Sequence, residues 1–182
     1  MKYISLLRGI NVGGRRKILM ADLKDIYAQH QLKKLQTYIQ SGNVLFEYES
    51  SLNLLELSEK IKTDIHEKYG FDVPVITVDL QILKNVVKLN PYFRGNVLID
   101  SLHLTVLSTI PEKDKLEQIV SPVNGDEFLI HENFVFIKCQ GKYSQSKLSN
   151  QYFEKKLGVE ATTRNWKTVE KLIALHDDQQ NT

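Results

Sequence analysis

The sequence predicts an α+β fold of two tandem ferredoxin-like plaits joined by a linker helix and followed by a C-terminal helix. Three observations lead there. Short apolar runs alternate with helical periodicity in the order β-α-β-β-α-β, and that order recurs in the second half. Each half holds two β-rich runs joined by a short turn, which argues against one doubly wound α/β domain. A chain of 182 residues also has room for one large domain or two small ones with real cores. The expected division is a first plait over 1–80, a linker over 81–99, and a second plait with the final helix over 100–182.

Residues 3–8 read as the first strand, apolar in both registers (Tyr3 and Leu7; Ile4 and Leu6). Strands of that kind want both faces covered. Leu19, Leu23, Ile26 and Tyr27 recur at helical spacing and give a helix over about 20–30. Gln36–Gln40 and Asn43–Tyr48 follow as a hairpin turning at Ser41-Gly42. Leu54, Leu57, Ile61 and Ile65 mark a helix closed by Gly70, and Val73–Val78 is a strand with Pro74 near its start. Residues 80–89 continue as the linker helix.

The second half reads alike. Leu102–Leu107 is a strand, Lys113–Val120 a weaker helix, and Glu127–Ile130 with Phe134–Cys139 a hairpin. Ser146–Leu157 is a helix ended by Gly158, residues 161–163 a short last strand, and Asn165 the N-cap of the final helix.

Apolar residues make up 42% of the chain and charged residues 25%, near globular averages, which excludes disordered and fibrous classes. A net charge of +2 is too small to mark a dedicated nucleic-acid binder. Cys139 is the single cysteine, so no intramolecular disulfide forms. The N-terminus lacks a signal-peptide pattern and no apolar run is long enough to span a bilayer. A soluble cytoplasmic protein with no membrane partner is expected.

Two segments resemble a known family. Leu6–Gly14, Lys17, Met20 and Thr37–Phe46 form one; Ser146–Leu148, Glu154–Gly158, Thr163–Trp166 and Thr168–Leu172 form the other. Together they look like the signature of the bacterial family catalogued as domain of unknown function 1697. The resemblance covers nearly the whole chain and implies two ferredoxin-like subdomains, with no established activity. One departure is Gln31, where the family usually places a glycine after the first helix. A non-glycine residue there in left-handed conformation costs on the order of 1 kcal/mol, so the helix is expected to end differently.

The segment richest in functional signal is Arg8–Lys17, with three glycines, one asparagine, four basic residues and no acid. Exposed backbone N–H groups ringed by cations make an anion pocket. The competing reading is that Gly9, Gly13 and Gly14 merely permit a tight turn. Gly9 and Gly14 have Walker spacing, but Arg15-Arg16 stands where Lys-Ser/Thr is required and no hydroxyl is placed for Mg²⁺, which argues against an NTPase loop. No dinucleotide fingerprint accompanies it, and no cofactor is implied.

Gln40, Ser41 and Asn43 could read a ligand's polar edge or could simply be good turn chemistry. Whether this turn meets the glycine loop depends on the strand boundaries and stays open. At the last helix, Arg164 offers a cation, while Asn165 and Trp166 suit either a ligand or a cap and its anchor. One attractive arrangement places Arg8 and Arg164 in a single pocket.

Catalytic signatures are thin. Ser144-Gln-Ser-Lys147 fits S-x-x-K without its partner motifs, and no hydrolase or zinc pattern occurs; no metal site is implied. The aromatic run that marks RNA-binding plaits is incomplete in both hairpins.

The leading expectation is a protein that binds a small anionic ligand, phosphorylated or nucleotide-like. Its candidate residues are Arg8, Asn11, Gly13, Gly14, Lys17, Gln40, Ser41, Asn43, Lys147, Arg164, Asn165 and Trp166. The alternatives are a nucleic-acid-binding module using the same loop, or an enzyme whose reaction the sequence does not identify. The pattern assigns no oligomeric state.

Overall fold

The computed structural model describes residues 1–40, 42–49, 53–94, 96–120 and 125–177. It is α+β, with two four-stranded antiparallel sheets and six α-helices among the described residues. The chain divides into two compact units, Met1–Lys84 and Asn85–Thr182.

The first unit holds β1 (Lys2–Leu7), α1 (Met20–Ala28), β2 (Lys33–Tyr38), β3 (Asn43–Glu47), α2 (Leu54–Tyr69) and β4 (Val75–Asp79). Its sheet runs in the order β2-β3-β1-β4. β1 lies in the middle, with Ile4 opposite Leu45 on one side and Val78 on the other. From Tyr3 to Leu7 every residue of β1 is buried, in both registers, as its two-sided apolar pattern predicts. Tyr3, Leu7, Val44 and Phe46 pack with Leu23, Ile26 and Tyr27 of α1 and with Leu57, Ile61 and Ile65 of α2. Burial of each such large apolar side chain contributes roughly 1.5–3 kcal/mol.

α3 (Leu80–Val87) crosses from the first unit into the second. The second unit then holds β5 (Leu102–Leu107), α4 (Lys113–Glu117), β6 (Glu127–His131), β7 (Phe134–Lys138), α5 (Asn150–Leu157), β8 (Ala161–Asn165) and α6 (Trp166–Asp177). Its sheet order, β6-β7-β5-β8, repeats that of the first unit. So does a polar detail inside each core. Ser5 and Thr77, register partners on β1 and β4, share a hydroxyl hydrogen bond of 2.7 Å, and Ser58 of α2 donates to the same Thr77. Thr105 and Thr163 do likewise on β5 and β8 at 2.7 Å, with Asn150 of α5 as third partner. The hydroxyls of Ser5, Ser58, Thr77 and Thr105, all in buried residues, thereby avoid the desolvation penalty of an unmade bond.

Several boundaries move from their expected places. The first hairpin is no two-residue turn at Ser41-Gly42. β2 starts earlier, at Lys33, and stops at Tyr38, so residues 39–42 connect the strands, and Ser41 lies outside the described residues. β2 is an edge strand with an irregular register between Lys33 and Gln36, and Lys34 takes φ 51°. Exposed lysines are tolerated on such an edge, which hid the strand's start from an apolar-pattern reading. α5 begins at Asn150 rather than Ser146, because Ser149 caps it by accepting from the N–H of Tyr152. α4 stops at Glu117, and α3 at Val87. The last strand is longer than expected and runs straight into α6.

Gln31 is a further correction. α1 closes at Ala28, yet Gln31 still takes the left-handed conformation (φ 58°) that was expected to be avoided. The strain is accepted, and Gly70 and Gly158 end α2 and α5 in the same conformation.

His103 on β5 is buried and stacks on Tyr143 at 4.5 Å between ring centroids. Burial lowers its pKa from the ordinary 6.5, against weaker opposition from the Ser101 carbonyl and Asp100. The folded state therefore prefers the neutral ring. The unfolded chain takes up the proton near pH 6.5, so stability is lost as pH falls through that value. Urea midpoints at pH 7.5 and 5.5 should differ more in the native protein than in His103→Phe, which keeps the ring contact and removes the titration.

Candidate functional site

The glycine loop folds as a small hairpin, which we call the finger. Val12 and Arg15 form an isolated β-bridge, the N–H of Arg15 donates to Val12 O (3.1 Å), and the N–H of Asn11 to Arg16 O (3.1 Å). Gly13 and Gly14 occupy its tip with φ 59° and 73°, as a type I′ turn demands. The turn thus accounts for both glycines without an anion. Three exposed cations, Arg15, Arg16 and Lys17, follow directly.

One side chain fixes the finger. The amide of Asn11 donates to Ile18 O (3.0 Å) and to Gln40 O (2.9 Å), while its oxygen accepts from the N–H of Ile18 (2.9 Å). Asn11 has φ 55°, a left-handed conformation that asparagine tolerates better than most residues. The amide joins the finger's base, the approach to α1 and the β2–β3 connection. The glycine loop and that connection therefore meet. Gly42 seals the contact: its carbonyl accepts from Leu7 N–H at 2.7 Å, and a Cβ there would fall 2.7 Å from the Cβ of Leu7. With φ 82° as well, position 42 admits only glycine without rearrangement.

An open cleft of about 250 Å³ lies beside the finger. Asn11, Gly14, Lys17 and Gln40 line one part; Ile18, Leu19 and Met20 line the rest. Leu19 occupies the N-cap position of α1, with no side-chain cap bond, although it is 67% exposed. The other helices of eight residues or more are all capped. Asn53 serves α2, Asp79 serves α3, Ser149 serves α5 and Asn165 serves α6. The N–H of Leu19 itself donates to the Tyr69 hydroxyl (3.3 Å), which in turn donates to Asp22 at 2.5 Å. That bond, helped by Lys68, holds the Asp22 carboxyl below the usual carboxylate range.

Surface cations fall into two groups, some paired and others, such as Lys24, Lys88 and Lys155, without an acidic partner among the described residues. Lys34, Lys60, Lys138 and Lys167 sit 2.7–3.1 Å from a carboxylate, and Lys33 pairs with Glu49. Among the described residues no acid pairs with the side chains of Arg15, Arg16 or Lys17.

Of the other expected site residues, Arg8 is half-buried at the finger's root, its N–H donating to Pro74 O (3.0 Å). Asn43 is buried and its amide donates to Tyr38 O (3.0 Å). Lys147, Arg164, Asn165 and Trp166 belong to the second unit, where Lys147 is exposed. Arg164 donates from Nη1 to Thr162 Oγ1 (3.1 Å) and Thr163 O (3.0 Å). Burial pushes its pKa down to about 10, which leaves it cationic at neutral pH. Asn165 caps α6 by accepting from Thr168 N–H (2.8 Å). Trp166 is buried against Phe136 and Phe93 and donates its indole N–H to Glu170 (3.1 Å), an anchor for α6. Asn11, Gly14, Lys17 and Gln40 are therefore the expected residues gathered in one cleft. Leu19 and Met20, named for the helical stripe and the family segment, are not among the expected site residues, and Arg15 and Arg16 enter that expectation only as part of the basic loop. An apolar residue in the capping position before α1 was the available signal.

A family model described as Protein of unknown function (DUF1697) matches residues 1–136, a span that includes the finger, the cleft and the first sheet. The chain belongs to that family. Among solved structures, this DUF1697 chain is similar to conserved bacterial protein SP0830 from Streptococcus pneumoniae. The two are 24% identical, with 95% of this chain and 97% of the other covered and a TM-score of 0.67. That likeness concerns the fold alone. No curated protein matches the chain. Among the described residues of this DUF1697 member, no helix is long and apolar enough to cross a membrane. No group of three or more His, Cys, Asp or Glu there could hold a metal ion.

Two substitutions test the construction of the site. Asn11→Ala removes three hydrogen bonds and leaves Ile18 N–H without its acceptor, a loss of about 2–3 kcal/mol in urea denaturation. Trypsin should then cut faster after Arg15, Arg16 and Lys17. Leu19→Ser supplies the missing cap and should raise stability by about 1 kcal/mol in the same assay.

Proposed function

We propose that each four-stranded sheet with its helices is a ferredoxin-like plait, and that the first plait binds a small anionic ligand in the cleft beside the finger. The shared strand order and element order support the first part. For the second part, one observation carries the reading: Lys17, the last of three consecutive cations without an acidic partner among the described residues, lines a cleft whose backbone Asn11 holds in place. Like charges kept adjacent repel one another, at a cost that an anion would reverse. The uncapped start of α1 adds first-turn N–H groups, with Asp22 of the same turn engaged by Tyr69 and Lys68 and offsetting part of the dipole's preference for an anion. A phosphate-bearing molecule fits these donors, with Lys17 as its principal contact and Gly14, Gln40 and the α1 entrance around it. Asn11 acts by positioning, because its amide is already engaged.

The experiment is a thermal-shift screen with pyrophosphate, sugar phosphates and nucleotides, run in parallel on Lys17→Ala. A ligand at a hundred times its dissociation constant adds about 2.7 kcal/mol. For a chain of this size that is roughly 5–10 °C in melting temperature. The expected outcome is a shift of that order, reduced in the variant. Equal shifts in both proteins would remove the cleft from consideration, and no shift with any compound would overturn the reading.

A further inference from the structure

We infer that the cleft takes an organic phosphate, one whose anionic group is joined to a compact apolar group, rather than inorganic phosphate or a bare polyphosphate. The inference rests on the anion reading above and adds the other half of the ligand. Its basis is the apolar part of the cleft's lining. Ile18, Leu19 and Met20 line the cleft in succession, and Leu19 is 67% exposed. Two more large apolar side chains, near the lining residues in sequence, are held in water. Val12, in the finger, is 63% exposed, and Ile39, next to Gln40, is 51% exposed.

A single exposed leucine is ordinary; an exposed leucine set between two further apolar lining residues, in the same cleft as Lys17, is a pattern that marks binding surfaces. The local rules broken here point the same way. Leucine is a poor N-cap, and a serine or aspartate would satisfy the helix end and discourage an incoming anion. Leucine leaves the helix end open and supplies apolar surface next to it. A volume of about 250 Å³ suits a phosphate with one ring or a short alkyl group. The Gln40 side chain, exposed at the cleft and with only its backbone oxygen engaged by Asn11, is placed to hydrogen-bond a polar edge on that group. Recognition would divide, with Lys17 taking the charge and Leu19 and Met20 the apolar part.

Isothermal titration of the full chain with phenyl phosphate, inorganic phosphate and pyrophosphate tests this, using the native protein, Lys17→Ala and Leu19→Ala. Alanine at position 19 removes apolar surface without adding a cap. Phenyl phosphate should bind at least tenfold more tightly than inorganic phosphate. Leu19→Ala should weaken phenyl phosphate roughly tenfold and leave pyrophosphate unchanged, and Lys17→Ala should weaken all that bind. If pyrophosphate binds and phenyl phosphate binds no better than phosphate, the apolar half of the inference is wrong and the anion site stands. Equal weakening of phenyl phosphate and pyrophosphate by Leu19→Ala would have the same meaning. Failure of every phosphate to bind would overturn both readings.

Discussion

Because β1 is buried on both faces, it has to be an interior strand, and its two neighbours are set by register: Leu6 opposite Asn43 on β3, and Leu7 opposite Val75 on β4. Antiparallel pairing then brings the end of β1, the start of β3 and the start of β4 to one end of the sheet. Everything proposed for the first unit follows from that constraint. The finger leaves β1 at this end, the β2–β3 connection arrives there, and Pro74 receives the N–H of Arg8 from the third side. Slipping β1 by one residue would exchange its two apolar sets between faces and break the Leu7–Gly42 bond together with the Asn11 bridge.

The finger's glycines show how one composition can serve two accounts. A glycine-rich, basic loop suggests a backbone cradle for an anion. In the structure, the pair at the tip is fully explained by a turn whose two central residues both take positive φ. The case for an anion shifts to the side chains after the turn and to the helix end beyond them. Asn11 links the two accounts. Its amide gives both N–H donors to protein partners and in doing so holds together the cleft that Lys17 and the start of α1 line.

Much of the architecture was legible because it rests on periodicity. The two-sided apolar strand at 3–8, the α2 stripe Leu57-Ile61-Ile65 and the closing Gly70 all appear where the pattern put them. Boundaries were lost where polarity and burial part company, as on the edge strand β2 with its exposed Lys33 and Lys34. The cleft was only half legible. Lys17, Asn11 and Gln40 carry polar chemistry that composition reveals, whereas Leu19 and Met20 read as the first apolar residues of an amphipathic helix. Only a structure shows that Leu19 remains in water at an uncapped helix end. Trp166 illustrates the opposite case: its sequence context suits a ligand or an anchor, and packing on Phe136 and the Glu170 bond define it as an anchor for α6.

The second unit provides a built-in control for the first. It repeats the strand order and even the paired strand hydroxyls, Thr105–Thr163 in place of Ser5–Thr77. It lacks an equivalent finger in the described residues. β5 is followed by a short connection, and the N–H of Leu107 donates to Asn133 O where the N–H of Leu7 donates to Gly42 O. The strand-end contact is thus a property of the repeated fold, and the cationic hairpin is an addition to one copy of it. The repeated strand order does not by itself explain why one connection carries Arg15, Arg16 and Lys17 and an uncapped leucine. A stability role would predict that replacing these residues destabilises the chain. The physics of adjacent like charges and of a missing cap predicts the reverse, which is the expected signature of residues kept for binding.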